Sequence, residues 1–379
     1  MSLTVGVLKE TRKGERRVAM VPRTAEMLRK LGLGIRMESG AGTEAGFPDA
    51  EFAAKGVEIL SSAAEVCRGS EILLQVQVDD VQHLNAQHIV VGFCDPLSDP
   101  ELSMRVASHG AMLFSMELVP RITRAQSMDA LSSMASIAGY KAVLLAAAAL
   151  PRLFPMMMTA AGTIPPAKVL ILGAGVAGLQ AIATARRLGS VVSAYDVRSA
   201  VKEQIESLGA KFVNITIGTS GEGSGGYARA LDEETLRKQR EQMGQVIKAQ
   251  DVVITTAAVP GKKAPILVTA DMTRQMAPGS VIVDLAAERG GNCELTRAGE
   301  TVFDHGVQIL GPVNLPSTVP YHASQMYARN LVEFLKTIVT KTGDLQIDVN
   351  DEIVRETLVT RGGEVVHPRV QALLKTVNA

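Results

Sequence analysis

A chain of 379 residues with 46% hydrophobic and 21% charged content can bury a large core and has the length of about two domains. Its 39 basic and 39 acidic side chains cancel, so there is no basic field to hold nucleic acid or an anionic membrane surface. It has no tryptophan and only 3% aromatic residues, so the stacking platform of a single-strand nucleic-acid site is missing as well. Cys67, Cys94 and Cys293 are scattered, with no CxxC or Cys/His ligand spacing. They read as buried thiols of a reducing compartment, and no metal site is expected. The stretch from Met1 to Gly6 lacks the pattern of a signal peptide, and the longest purely apolar run, Ala142 to Leu150, falls short of the roughly 20 residues that cross a bilayer. The expectation is a chain soluble by itself.

In chain order, strands are expected at Thr4 to Leu8, Ile72 to Val78, Ile89 to Phe93 and Ala111 to Met116, with amphipathic helices between them. One such helix is Pro22 to Leu31, with proline at its first position and Gly32 as its stop. The three methionines Met156 to Met158 read as packing between domains, because methionine fills irregular gaps. A second alternation begins at Lys168: Val169 to Leu172, Val191 to Tyr195, Val252 to Thr255, Val281 to Leu285 and Val307 to Leu310 are near-continuous apolar strands, as in a parallel sheet covered on both faces. After Tyr321, apolar residues at 327, 331, 334, 335 and 338 mark one face of a helix that could return the chain to the first domain. The tail alternates at Leu345, Ile347 and Val349, then at Val365 and Val366 around Gly362-Gly363, which suggests a small hairpin. The expected fold is α/β with two Rossmann-like domains of parallel sheet: residues 1–130 and 323–379 form a split first domain, and 131–322 a nucleotide domain inserted in it.

Gly173-Ala174-Gly175-Val176-Ala177-Gly178 follows a strand and opens a helix. A bare GxGxxG is a weak signal, but this context is the one a dinucleotide needs. The glycines allow a tight turn and close backbone approach, and the helix amino terminus offers free N–H groups to a pyrophosphate. The next strand ends at Asp196, placed to accept hydrogen bonds from ribose hydroxyls and to repel a 2′-phosphate, so NAD is favoured over NADP. Arg198 complicates that choice, because a nearby arginine can accept a 2′-phosphate. The bland alternative is that the glycines serve only helix–strand packing.

From about Met116 to Gly209 the sequence resembles the NAD(H)-binding component of proton-translocating NAD(P) transhydrogenases, a family related to alanine dehydrogenase. The segments that carry the resemblance are Met116 to Asp129 (MELVPRITRAQSMD), Ala138-Gly139-Tyr140, and Phe154 to Thr163 onward through the glycine turn. Weaker likeness runs through Leu8-Lys9-Glu10, Gly225 to Ala228, Gly290 to Cys293 and Asn314 to Ser317. The resemblance implies that Arg121, Asp129, Ser132 and Tyr140 orient the nicotinamide and its ribose, and that Gln126 reaches towards an incoming NADP ring. Such a polar set suffices, because hydride transfer needs positioning and exclusion of water rather than an acid or base. Without the resemblance, Arg121 and Asp129 read as an ion pair and cap at a helix start. The resemblance also implies nucleotide contacts at Val197, Arg198 and Ala258, and a mobile glycine-rich loop that closes with Gly226 and Tyr227; from composition alone that loop is as well read as a surface insertion. It further implies NAD(H) on this chain and NADP(H) on a partner domain. A membrane-spanning partner subunit, a homodimer, and a cytoplasmic location at the inner membrane through that partner complete the implied assembly.

Three rivals stand beside this reading. An alanine dehydrogenase needs a lysine and a histidine at the substrate strand ends, where this chain has Gln75-Val76-Gln77 and Phe93-Cys94-Asp95. A 2-hydroxy acid dehydrogenase could draw on Glu288, His305 or His322, which lack that family's surrounding pattern. A non-enzymatic NAD(H) sensor has little use for the loop from Arg121 to Asp129. Gln75 to Asp95, together with Pro320-Tyr321-His322, also departs from the transhydrogenase pattern, which bears on first-domain packing or partner contacts.

Overall fold

The computed structural model describes residues 3–215, 241–258 and 261–377. The chain forms two compact units, Met1–Met134 with Pro316–Ala379, and Ala135–Leu315.

The first unit is built on β1 (Thr4–Val7), β2 (Gly34–Glu38), β3 (Glu58–Leu60), β4 (Ile72–Gln77), β5 (Ile89–Phe93) and β6 (Met112–Ser115), all parallel. At the carboxyl end of the chain, β16 (Leu358–Arg361) adds antiparallel to β6, and β17 (Glu364–Val365) pairs with it across Gly362-Gly363. The sheet order is β17-β16-β6-β5-β4-β1-β2-β3. The direction of winding therefore reverses between β1 and β4. The central strands β4 and β5 are buried on both faces and read as apolar runs, whereas β2 and the edge strand β3 mix Arg36, Glu38 and Glu58 into their sequence. That polar content hides them from a search for apolar runs, and both are additions to the expected set. Helix Pro22–Lys30 starts at proline, and Gly32 follows with φ +80°. The helix Pro320–Ile338 buries all five expected apolar positions, Tyr327, Leu331, Phe334, Leu335 and Ile338. Phe334 packs on Phe114, and the Tyr327 hydroxyl donates to the carbonyl of Gln75 at 2.9 Å. The alternation at Leu345, Ile347 and Val349 does not make a strand: Leu345 forms one isolated bridge to Val339, and Leu345 and Val349 are exposed. With those side chains in solvent, the alternation has no core face to pack on.

The second unit carries β9 (Lys168–Leu172), β10 (Val191–Tyr195), β11 (Lys211–Phe212), β12 (Val252–Thr255), β13 (Val281–Asp284), β14 (Thr301–Asp304) and β15 (Val307–Leu310), in the order β11-β10-β9-β12-β13-β15-β14. All neighbours pair in parallel except β14, which runs antiparallel to β15. Successive side chains of β9 feed two cores. Val169 and Ile171 meet Ala142, Val143 and Ala146 of the helix Ala130–Ala149 and Ala181, Ile182 and Ala185 of the helix Val176–Arg187. Leu170 and Leu172 meet Ile247, Met272 and Met276 on the other face. A strand with a core on each side has no polar positions to alternate, which is why its sequence is continuous. The helix Ala130–Ala149 is long and apolar enough to cross a membrane by length and composition, where a count of unbroken apolar runs finds none; core helices of globular domains meet the same description. Met156 to Met158 depart from the packing expected of them. All three are exposed, and Met157 and Met158 lie on a two-stranded hairpin of β7 (Met157–Thr159) and β8 (Gly162–Ile164).

Candidate dinucleotide site

In the second unit, as in the first, winding reverses beside the first strand, here between β9 and β12. Parallel α/β sheets bind ligands at the carboxyl ends of the strands beside such a point. Gly173 leaves β9 with φ +100°, its N–H donating to the carbonyl of Tyr195 at 2.8 Å, and a Cβ on it would lie 2.6 Å from Thr256 Oγ1. Gly178 is tighter still, since its Cβ would lie 1.9 Å from the carbonyl oxygen of Gly173. Gly175 differs from both. It caps the helix Val176–Arg187, is exposed with Val176, and a Cβ added there would meet nothing within 4 Å. Two glycines thus close the turn on itself, and the middle one leaves backbone open at a helix amino terminus, where the first N–H groups have no intrahelical acceptor. These residues fit the diphosphate of a dinucleotide. From the other side Gly139 presses on the turn, its Cβ position 2.1 Å from the carbonyl oxygen of Ala177.

Asp196 follows β10 and is almost fully buried. Its Oδ2 accepts from Ala174 N at 2.8 Å and from Arg198 Nη2 at 2.9 Å, and its Oδ1 accepts from the backbone N and the Nε of Arg198, both at 2.9 Å. Burial works to raise its pKa, but the Arg198 guanidinium and the two backbone N–H groups outweigh it and hold the carboxyl below the usual range. Arg198, which the sequence left as a rival acceptor for a 2′-phosphate, is a partner of Asp196. Val197 is half-buried, and Ala258 is exposed beyond β12. Gly226 and Tyr227 lie outside the described residues.

Sequence reasoning missed a buried carboxylate beside this turn. Asp284 ends β13 with no exposure; its Oδ1 accepts from Thr255 Oγ1 and Ala286 N, and its Oδ2 from Asn292 N, Cys293 N and Thr296 Oγ1. Asn292, thereby fixed, accepts from Ala257 N and donates to the carbonyls of Ala257 and Pro265. It sets the backbone that follows β12. The available signals were an acid at a strand end and the segment Gly290 to Cys293.

In the first unit, Arg121 and Gln126 are exposed, and a 3-10 turn spans Thr123–Met128. Asp129 caps the helix that follows, Oδ1 accepting from Ser132 N at 2.8 Å and Oδ2 from Ser132 Oγ at 2.6 Å. Asp129 and Ser132 are thus brought together, as a cap. Tyr140, on the same helix but in the second unit, is exposed.

Elsewhere in the first unit, Glu10 stands beyond β1 and accepts from Val76 N and Gln77 N at the end of β4, while Glu117 accepts from Cys94 N and Asp95 N beyond β5. Burial raises both, Glu10 to about 8 and Glu117 to about 7. At the two strand ends that lack the lysine and histidine expected of an alanine dehydrogenase, Gln75, Val76, Phe93 and Cys94 are buried. Of the other rival residues, Glu288 and His322 are exposed and His305 is an exposed partner of Asp304. Among the described residues no group of three or more His, Cys, Asp or Glu could hold a metal ion.

The N-terminal domain model of the alanine dehydrogenase/PNT family matches residues 6–138, and its C-terminal domain model matches residues 142–368. A Rhodospirillum rubrum protein described as the first portion of NAD(P) transhydrogenase subunit alpha is 45% identical over 377 residues, covering 97% of this chain and 98% of its own. A solved transhydrogenase from Sinorhizobium meliloti is 43% identical, covers 96% of this chain and 99% of its own, and superposes with a TM-score of 0.84. A solved L-alanine dehydrogenase, 24% identical, covers 99% of this chain and 100% of its own with a TM-score of 0.81, which speaks for the fold.

Proposed function

Because the chain belongs to the alanine dehydrogenase/PNT family, we propose that it is the NAD(H)-binding component of a proton-translocating NAD(P) transhydrogenase, exchanging hydride with NADP held on a partner domain. The observation that carries this reading is the turn with Gly175 open at a helix amino terminus, in a chain that an alpha-subunit relative matches along nearly all its length. When bound, NADH supplies the hydride. The chain's residues bind and orient: first-turn N–H groups receive the diphosphate, Asp196 takes the ribose hydroxyls in competition with Arg198, and Arg121, Asp129, Ser132 and Tyr140 align the nicotinamide end. Exposed Gln126 faces the incoming ring. None of these groups needs to give or take a proton, so proton movement belongs to a membrane-spanning partner and reaches this chain through conformational change. A homodimer held at the inner membrane by that partner completes the assembly.

The test is conversion of NADH to NAD+, resolved from NADPH by chromatography because the two reduced nucleotides absorb alike, in two mixtures, one with the NADP-loaded partner domain and one with pyruvate and ammonium. Turnover is expected only in the first; turnover only in the second makes the chain an alanine dehydrogenase, and binding without turnover in either makes it a sensor.

A further inference from the structure

The loop from Arg121 to Asp129 is fastened within the first unit at two points on either side of Gln126. On the carboxyl side, the carbonyl of Ser127 accepts from Asn330 Nδ2 at 2.8 Å, reaching across 203 residues of chain to the helix Pro320–Ile338. On the amino side, Arg124 grips Asp351 with both guanidinium arms, Nη1 to Oδ2 at 2.7 Å and Nη2 to Oδ1 at 2.9 Å. Asp351 is itself fixed, because its Oδ1 also accepts from Ile353 N as the cap of the helix Glu352–Thr357. Ala125, between the fastenings, and Met128, just beyond them, are buried, whereas Gln126 is exposed along with the fastened Arg124 and Ser127.

Asn330 is an unusual choice for a buried helix position. It is 6% exposed, and its Oδ1 has no hydrogen-bond partner. A buried carbonyl left unsatisfied costs stability that an apolar residue of similar size would avoid. What the amide gains in return is the single bond to Ser127.

We infer that Asn330 is a positioning residue for hydride transfer, holding the backbone beside Gln126 in register, with the Arg124–Asp351 pair as the second fastening. The inference rests on the proposed reading of this loop as the part that faces the reacting nicotinamides. A positioning role predicts loss of rate without loss of cofactor, since rate falls steeply with misplacement of the reacting groups whereas the diphosphate turn lies elsewhere in the chain.

The experiment compares Asn330→Ala, Arg124→Gln and Gln126→Ala in the full chain. Three readouts are taken: deuterium exchange of amides 122–128, NADH dissociation constant by fluorescence, and single-turnover hydride transfer to NADP on the partner domain. Asn330→Ala and Arg124→Gln should each speed exchange in the loop and slow hydride transfer about tenfold, with NADH affinity within about twofold of the parent. Arg124 is exposed, so its variant keeps the test alive if Asn330→Ala does not fold. Unchanged exchange overturns the inference, as does faster exchange with an unchanged rate while Gln126→Ala is slow. If Gln126→Ala itself transfers hydride at the parent rate, the reading of the loop fails and the inference falls with it, a distinguishable result.

Discussion

The two units present the same place in the same topology, the crossover after the first strand beside the point where winding reverses, and treat it in opposite ways. In the second unit, three glycines bring the chain round with a backbone gap at Gly175. In the first, Glu10 follows β1 and lays its carboxyl group on the N–H groups of Val76 and Gln77. The protein thus fills one crevice with its own acceptor and leaves backbone open in the other. Strand order alone does not make a nucleotide site, and the side chains of the first crossover decide.

The largest effect that would sharpen this contrast is expected from Gly178→Val, which forces atoms into a space where even a Cβ is 1.9 Å from the Gly173 oxygen. It should cost about 3 kcal/mol or more in chemical denaturation and abolish NADH binding measured by equilibrium dialysis. Asp196→Asn comes next: NADH affinity should fall by more than about tenfold, one pKa unit's worth of interaction, while NADPH affinity rises because Arg198 loses its charged partner. As its folded pKa is lowered, the Asp196 carboxylate contributes stability above the ordinary value of 3.8 that is lost as pH falls through the folded pKa. The variant should therefore differ from the parent in stability most near neutrality and least in acid. Glu10→Gln has the opposite sign. A carboxyl raised from 4.5 to about 8 is at full stability below 4.5 and loses it as pH climbs to about 8. The parent's unfolding free energy should decline relative to the variant's by up to about 1.4 kcal/mol per pH unit across that window, and a flat difference would mean that the carboxyl is not held in the first crevice as described. The smallest change in stability belongs to Gly175→Ala, within about 0.5 kcal/mol of the parent because nothing lies near the added methyl. Its NADH affinity should nonetheless drop about tenfold, and unaltered affinity would remove the diphosphate from this turn.

What can be read in advance follows from range. Central strands such as Val169 to Leu172 and Val252 to Thr255 announce themselves because burial on both faces makes them apolar throughout, and the glycine turn because its three constraints fall within six residues. Strand β2 and the edge strand β3 are silent, since polar residues interrupt them. The hairpin at Met157 invites misreading because exposed methionines look like core methionines in a sequence. Asp129 and Ser132 are legible as a local cap. Asp284, which gathers donors from Thr255 to Thr296, and Asn330, which meets Ser127 from a distant helix, are not, because only the fold defines their partners.

The three thiols carry a practical consequence. Cys67, Cys94 and Cys293 are all buried, and burial pushes each up in pKa, Cys67 to about 11, so at neutral pH little of any is thiolate, the form that attacks maleimides or oxidants. A cysteine engineered on the surface, for instance Met158→Cys on the exposed hairpin, would then be the single fast-reacting sulfur, and a fluorophore or spin probe could be attached without first deleting the natural ones.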